Sequence, residues 1–129
     1  MKKVIKFWLK SAKENLTTAK AMHKTGRWSF VFFMCQQTVE AILKAVYVIK
    51  KKEQHPFTHN LKLLLEKLEV SVPENIEEII LNLSAHYIAA RYKTERFNST
   101  IYNKQTAAEI LNNTEKVILW FSKEFKLKI

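Results

Sequence analysis

The sequence predicts an all-α fold, an antiparallel up-and-down bundle of four long helices plus one short helix, and three observations carry that expectation. One Gly and two Pro in 129 residues are too few for the tight hairpin turns of an all-β domain. Apolar residues recur every three or four positions over long stretches, the period of a helix with one buried face. An apolar fraction of 47% supplies one core in a chain of single-domain length. No repeat, low-complexity tract or interdomain linker interrupts the pattern, so residues 1–129 are expected to form one domain.

The first helix is expected from Lys3 to Thr25, with Trp8, Ala12, Leu16, Ala19 and Met22 as its buried stripe, stopping at the lone Gly26. Trp28 opens a second helix running to about Lys52. Its stripe is Phe32, Cys35, Val39, Leu43, Val46 and Ile49, widened by Phe33, Ile42 and Tyr47. A helix apolar over so much of its girth is either central or buried against a second subunit. Pro56 breaks the chain, and Thr58-His59-Asn60 introduces a short helix with Leu61, Leu64, Leu65 and Leu68 on one face. Ser71 and Glu74 read as a capping box for a fourth helix that buries Ile76, Ile80, Leu83 and Tyr87 and ends near Arg91. The pattern is broken through Asn103. A last helix starts between Asn103 and Thr106, with Thr106 and Glu109 reading as a second capping box. It buries Ala107, Ile110, Leu111, Thr114, Val117, Phe121 and Phe125.

Composition closes off several functions. Cys35 is the single cysteine, so no internal disulfide forms, and its apolar surroundings predict an inert thiol. Met1-Lys2-Lys3-Val4-Ile5-Lys6 is charged again before an apolar run forms, so a signal peptide is not expected. No uninterrupted apolar run reaches the roughly 18 residues of a membrane span. A cytoplasmic protein with no membrane partner is the expectation. The four histidines, His23, His55, His59 and His86, are scattered, and the chain has no Asp, so no metal site and no cofactor are expected. One glycine cannot build a phosphate-cradling loop. No catalytic residues are assigned.

The net charge of +10 favours polyanions in general. Of the 22 basic residues only Arg27, Arg91 and Arg96 are arginines, the residue preferred for bidentate contact with phosphates and bases. Lys50-Lys51-Lys52 and the Lys123, Lys126, Lys128 group fall where helices should end, where positive charge complements the helix dipole without any ligand. The segment Tyr87 to Phe97 stands apart, with two of the three arginines and two tyrosines at a helix end. Guanidinium beside aromatic rings can hold phosphate and stack bases. Equally, Tyr87 could pack in the core, Arg91 cap helical carbonyls and Arg96 pair with Glu95.

Four pieces in order resemble the HEPN domains of bacteria and archaea. They are Trp8 with Ala12 and Leu16; Trp28-x-x-x-Phe32-x-x-x-Gln36-Gln37-x-x-Glu40-x-x-Leu43-Lys44-Ala45; His59-Asn60-Leu61-x-x-Leu64-Leu65; and Tyr87-x-x-Ala90-Arg91-Tyr92. The resemblance implies a HEPN-like bundle that dimerises through its long helices, often beside a minimal nucleotidyltransferase in a toxin–antitoxin pair. Many members are metal-independent RNA endonucleases whose Arg is followed four to six residues later by His. This sequence departs from that motif, because no histidine follows Arg91. His86 precedes Arg91 by five residues, which leaves the two roughly 140° apart around a helix.

The chain is instead similar to the Ala-Arg-Tyr branch. The resemblance implies a non-catalytic homodimer, or larger even-numbered oligomer, that binds nucleotide, RNA or a nucleotidyltransferase partner. Its ligand residues would be Arg91, Tyr92, Arg96, His59 and Glu40. The alternative is a divergent ribonuclease using Arg91 with His86 or His59. His59 and Asn60 also suit a helix start. Gln36, Gln37 and Glu40 would sit at a solvent edge or hydrogen-bonded inside an interface, where Glu40 could meet Arg91 or Lys44.

Overall fold

Gly26 ends the first helix as its position implies. At φ +75° it occupies the left-handed region that a side chain resists. Its N–H donates to the His23 carbonyl at 3.3 Å and the Arg27 N–H to the Met22 carbonyl at 2.9 Å, the paired bonds of a Schellman ending. In the computed structural model, which describes residues 1–89 and 98–129, this stop separates α1 (Lys2–Lys24) from α2 (Trp28–Lys51). The other helices are α3 (Leu61–Leu68), α4 (Glu74–Ala89) and α5 (Lys104–Phe125). The described residues include no strand.

One helix start and one capping box differ from the sequence reading. α4 begins at Glu74, and the Pro73 carbonyl accepts from the amides of Ile76 and Glu77, both at 3.0 Å. Ser71 is therefore outside the helix. A residue before proline is pushed out of the α region, so Val72 could not have opened it. α5 is capped by Asn103, whose Oδ1 accepts from Thr106 N–H at 3.0 Å while Thr106 Oγ1 accepts from Asn103 N–H at 3.0 Å. The capping box is thus Asn103 with Thr106, not Thr106 with Glu109, because Asn103 is the stronger cap three residues upstream.

Helix α2 is the centre of the bundle. It contacts each of the other four helices, and every residue from Thr38 to Val48 is buried. From Thr38 to Val48 the apolar girth that suggested a second subunit is covered within one chain. Around it stand Ala12 and Ala19 of α1, Leu61, Leu64 and Leu68 of α3, Ile76, Ile80 and Leu83 of α4, and Ala107, Ile110, Leu111, Val117 and Phe121 of α5. Phe33, expected on the buried face, is 37% exposed and Phe30 45%, so the N-terminal half of α2 shows an aromatic edge. By length and hydropathy α2 could cross a membrane, yet most of that stretch is buried among the other helices, as in a core helix.

The lysines at the end of α2 serve two helix ends. Lys50 Nζ donates to the carbonyls of Leu68 and Glu69, each at 2.7 Å, closing the C-terminus of α3, and Lys51 pairs with Glu69. Cation and orphan carbonyls are mutually satisfied.

Cys35 lies fully inside, and burial raises its thiol from 9.0 to about 12, against a smaller lowering by Thr114. The folded chain keeps this proton when the unfolded chain loses it. The associated stability is therefore present below pH 9.0 and lost as pH climbs from there toward 12. With the proton held more tightly and the sulfur fully buried, Cys35 should react with a disulfide reagent at least about tenfold more slowly in native protein than in denatured protein at about pH 8. Timed thiol labelling with and without guanidinium checks this; equal rates would place the thiol in solvent.

Candidate functional site

Gln36, Glu40 and Lys44 stand at four-residue intervals on α2 and therefore share one face. All three are polar, and all three are buried, with 1%, 3% and 5% exposure. Burial of such groups is tolerable only with partners in place. Glu40 is the hub. Lys44 Nζ donates to its Oε2 at 3.0 Å, Gln36 Nε2 to its Oε1 at 3.3 Å, and His59 Nδ1 lies 3.1 Å from both oxygens. Gln36 Nε2 also donates to the His59 carbonyl at 3.0 Å. Gln36 Oε1 has no partner among the described residues.

The linker between α2 and α3 is folded to deliver His59. Asn60 caps α3 by accepting from Leu63 N–H at 3.1 Å, and its own N–H donates to Thr58 Oγ1 at 3.1 Å. His59 is thereby released from capping and turns back onto α2. Upstream, His55 is buried edge-on against Trp8 of α1 at 5.0 Å, and Lys44 Nζ sits 4.8 Å from the centre of the Trp8 ring, a cation–π contact in a desolvated setting. One polar network thus joins α1, α2 and the start of α3.

The network reaches the surface at one point. The His59 side chain is 60% exposed while that of Glu40 is 4% exposed. Nδ1 is the ring nitrogen that faces the carboxylate, so the Nε2 edge is the one turned away from it. The Tyr87 ring of α4 lies 6.1 Å from the imidazole, inclined by 44°. Such an edge beside an aromatic face can hydrogen-bond to an anion and flank a planar group.

Of the expected ligand residues, Glu40 and His59 are brought together, while Arg91, Tyr92 and Arg96 lie outside the described residues. Glu40 meets Lys44 within its own chain. His86, the other histidine of the ribonuclease alternative, has a different setting. It packs on Phe32 at 4.6 Å with Nδ1 3.2 Å from Tyr102 Oη, and burial lowers its pKa below 6.5. It borders a cavity of about 550 Å³ between α4 and α5 whose walls include Asn75, Asn82 and Asn113. Lys44, Trp8 and Tyr87 were not among the expected ligand residues, although Tyr87 lay in the segment that stood apart and Lys44 was one of two partners weighed for Glu40. The Glu40–Lys44 spacing was the available signal, since a glutamate four residues before a lysine pairs on a helix. The described residues contain no group of three or more metal-ligating side chains.

The HEPN domain family model matches residues 5–125, nearly the whole chain. This protein belongs to the HEPN domain family. Among solved structures the HEPN chain is similar to TT1696 from Thermus thermophilus, at 27% identity and a TM-score of 0.79, covering 92% of this chain and 96% of that one. It is also similar to ST0689, an archaeal HEPN homologue, at 20% identity and a TM-score of 0.75, covering 93% and 96%. That second likeness speaks for the fold alone. No curated protein matches this chain.

The buried pair generates a stability test. Glu40→Ala leaves the Lys44 ammonium buried without its counter-charge, a change that typically costs about 3–5 kcal/mol. Replacing both, as Glu40→Leu with Lys44→Met, should restore most of that loss. Urea unfolding of the wild type, Glu40→Ala and the double variant measures it, and a double variant no more stable than Glu40→Ala would show that the loss does not come from an unpaired Lys44.

Proposed function

We propose that this HEPN domain is a non-catalytic binding protein that takes a phosphate-bearing ligand, a nucleotide or RNA, at the His59 edge. In this reading it works as a homodimer beside a minimal nucleotidyltransferase in a cytoplasmic toxin–antitoxin or stress module. The observation that carries the reading is the Glu40–His59 pair. A buried carboxylate fixes an exposed imidazole, and Tyr87 stands beside it. Arg91 follows Tyr87 by four residues in the sequence and would add a planar, charge-assisted contact, with Tyr92 for stacking and Arg96 for further charge. The net charge of +10 raises the local concentration of any anion.

One observation favours the second reading, a metal-independent ribonuclease. A carboxylate on Nδ1 is also how an imidazole is held as a general base, with Nε2 free to accept a proton. No histidine follows Arg91 at the family's spacing in the sequence, so the family's own proton carrier for the leaving oxygen is missing.

Titration of ATP and of a short single-stranded RNA at fixed salt separates these readings. Arg91→Lys keeps the charge and loses the fork, so affinity should fall more than about tenfold, the effect of roughly 1.5–3 kcal/mol for one lost charged hydrogen bond. Lys62→Ala on α3 should bind like wild type. Wild-type affinity in Arg91→Lys removes this arginine from the site, and early melting with unchanged affinity makes it a helix-end tether. RNA cleavage in chelator that disappears in His59→Ala would overturn the non-catalytic reading.

The homodimer rests on the exposed pair Phe30 and Phe33, three residues apart on α2. Sedimentation equilibrium at micromolar concentration should give about twice 15.2 kDa; a 15.2 kDa species alone would refute it.

A further inference from the structure

The lysines of α1 are arranged against the electrostatics of their own helix. Lys2 and Lys3 occupy its first turn, which holds no acidic residue, where the helix dipole is positive and cations are disfavoured. The first carboxylate on α1 is Glu14. Lys2, Lys6, Lys10 and Lys13 fall within an arc of about 80° around the helix and span roughly 16 Å, about three turns. Across from them Lys126 and Lys128 follow the end of α5, and the six together rim a groove of about 530 Å³ with no acidic side chain in its lining.

The floor of that groove is apolar. Ile5 and Leu9 of α1, Ile49 of α2 and Leu127 form it, each partly exposed at the bottom while the lysines stand fully out. This combination selects among anionic partners. No aromatic ring lines the groove, so it lacks the stacking platforms that single-stranded nucleic acid uses. A membrane-seeking face carries its apolar groups outermost, whereas Ile5, Leu9, Ile49 and Leu127 are recessed behind the charges, and of the apolar lining Ile129 alone stands exposed, at 42%. A ridge of apolar side chains flanked by carboxylates fits both features, and three turns of lysine match three turns of an opposing helix.

We propose that the α1 groove is a docking site for an acidic amphipathic helix of a partner protein, with apolar residues seated on Ile5, Leu9 and Ile49 and flanking Glu or Asp on the lysine rim. This surface is independent of the His59 site, so either reading can fail without the other.

The probe is a fluorescein-labelled peptide of about four helical turns, roughly 15 residues, built from Glu and Leu with leucine every third or fourth position. Anisotropy titration of the full chain should show saturable, salt-sensitive binding. Lys2→Glu with Lys6→Glu should weaken it at least tenfold. The same charge change as Lys62→Glu with Lys104→Glu, also in first turns of helices, should not. Neither pair should lower the melting temperature, because acids at Lys2, Lys62 and Lys104 stand in first turns, where they complement the dipole, and Lys6 is an exposed side chain one turn further on. A peptide with serine in place of leucine should bind at least tenfold more weakly. Equal binding by both peptides would reduce the groove to nonspecific charge and overturn the proposal. So would phosphatidylserine vesicles binding in a Lys2- and Lys6-dependent way while the peptide does not.

Discussion

Carrying Glu40 into the most apolar helix of the chain imposes a constraint that much of the bundle answers. A lone buried carboxylate is strongly disfavoured, so three donors converge on it, from α2 itself and from the linker that follows. Each donor brings its own attachment. Lys44 lies over Trp8 of α1, Gln36 holds the His59 backbone, and His59 faces Tyr87 of α4. The same charge therefore fixes how α1, α3 and α4 stand around α2. Apolar packing alone tolerates rotation and sliding between helices, whereas a polar hub with defined hydrogen bonds admits few arrangements.

The helices were legible because their signals are local. Gly26 marks a C-terminus through its own conformational freedom, and the stripes of α1, α3 and α5 follow from spacing alone. The last helix starts within the expected range, at Lys104. The misassigned caps at Ser71 and Thr106 arose where two candidates lie within three residues, and the choice depends on Pro73 disfavouring a helical Val72 and on the reach of Asn103. The site was legible only in part. Glu40 and His59 are nineteen residues apart, and no periodicity links a helix interior to a loop. Their meeting depends on the path of the linker past Trp8, a tertiary fact. Phe33 shows the converse limit, because a hydrophobic residue at a suitable phase need not find a neighbour.

The positive charge of the chain resolves into parts with different causes. At the end of α2, Lys50 is tied to the last carbonyls of α3 and Lys51 is paired with Glu69, so both cations are engaged within the fold. Lys44 is consumed by Glu40. What is left concentrates elsewhere, above all on the first half of α1, where the dipole gives it no support. Net charge by itself thus overstates the attraction of this protein for phosphate and understates its local asymmetry.

A likeness at 20% identity with a TM-score of 0.75 means that most side chains of this bundle can change while its shape stays. Fold is carried by the pattern of apolar positions, and chemistry by the few polar groups that pattern holds in place. In this chain those groups are an enclosed carboxylate with one outlet. Were Glu40 merely structural, a leucine would fill its volume with less desolvation and would need neither the bend that brings His59 back nor the Trp8 contact with Lys44. The arrangement instead holds an imidazole that is 60% exposed against a carboxylate that is 4% exposed, so the orientation of the ring is set by a bond made inside the fold. Pre-ordering of that kind favours binding because little rotamer freedom remains to be lost.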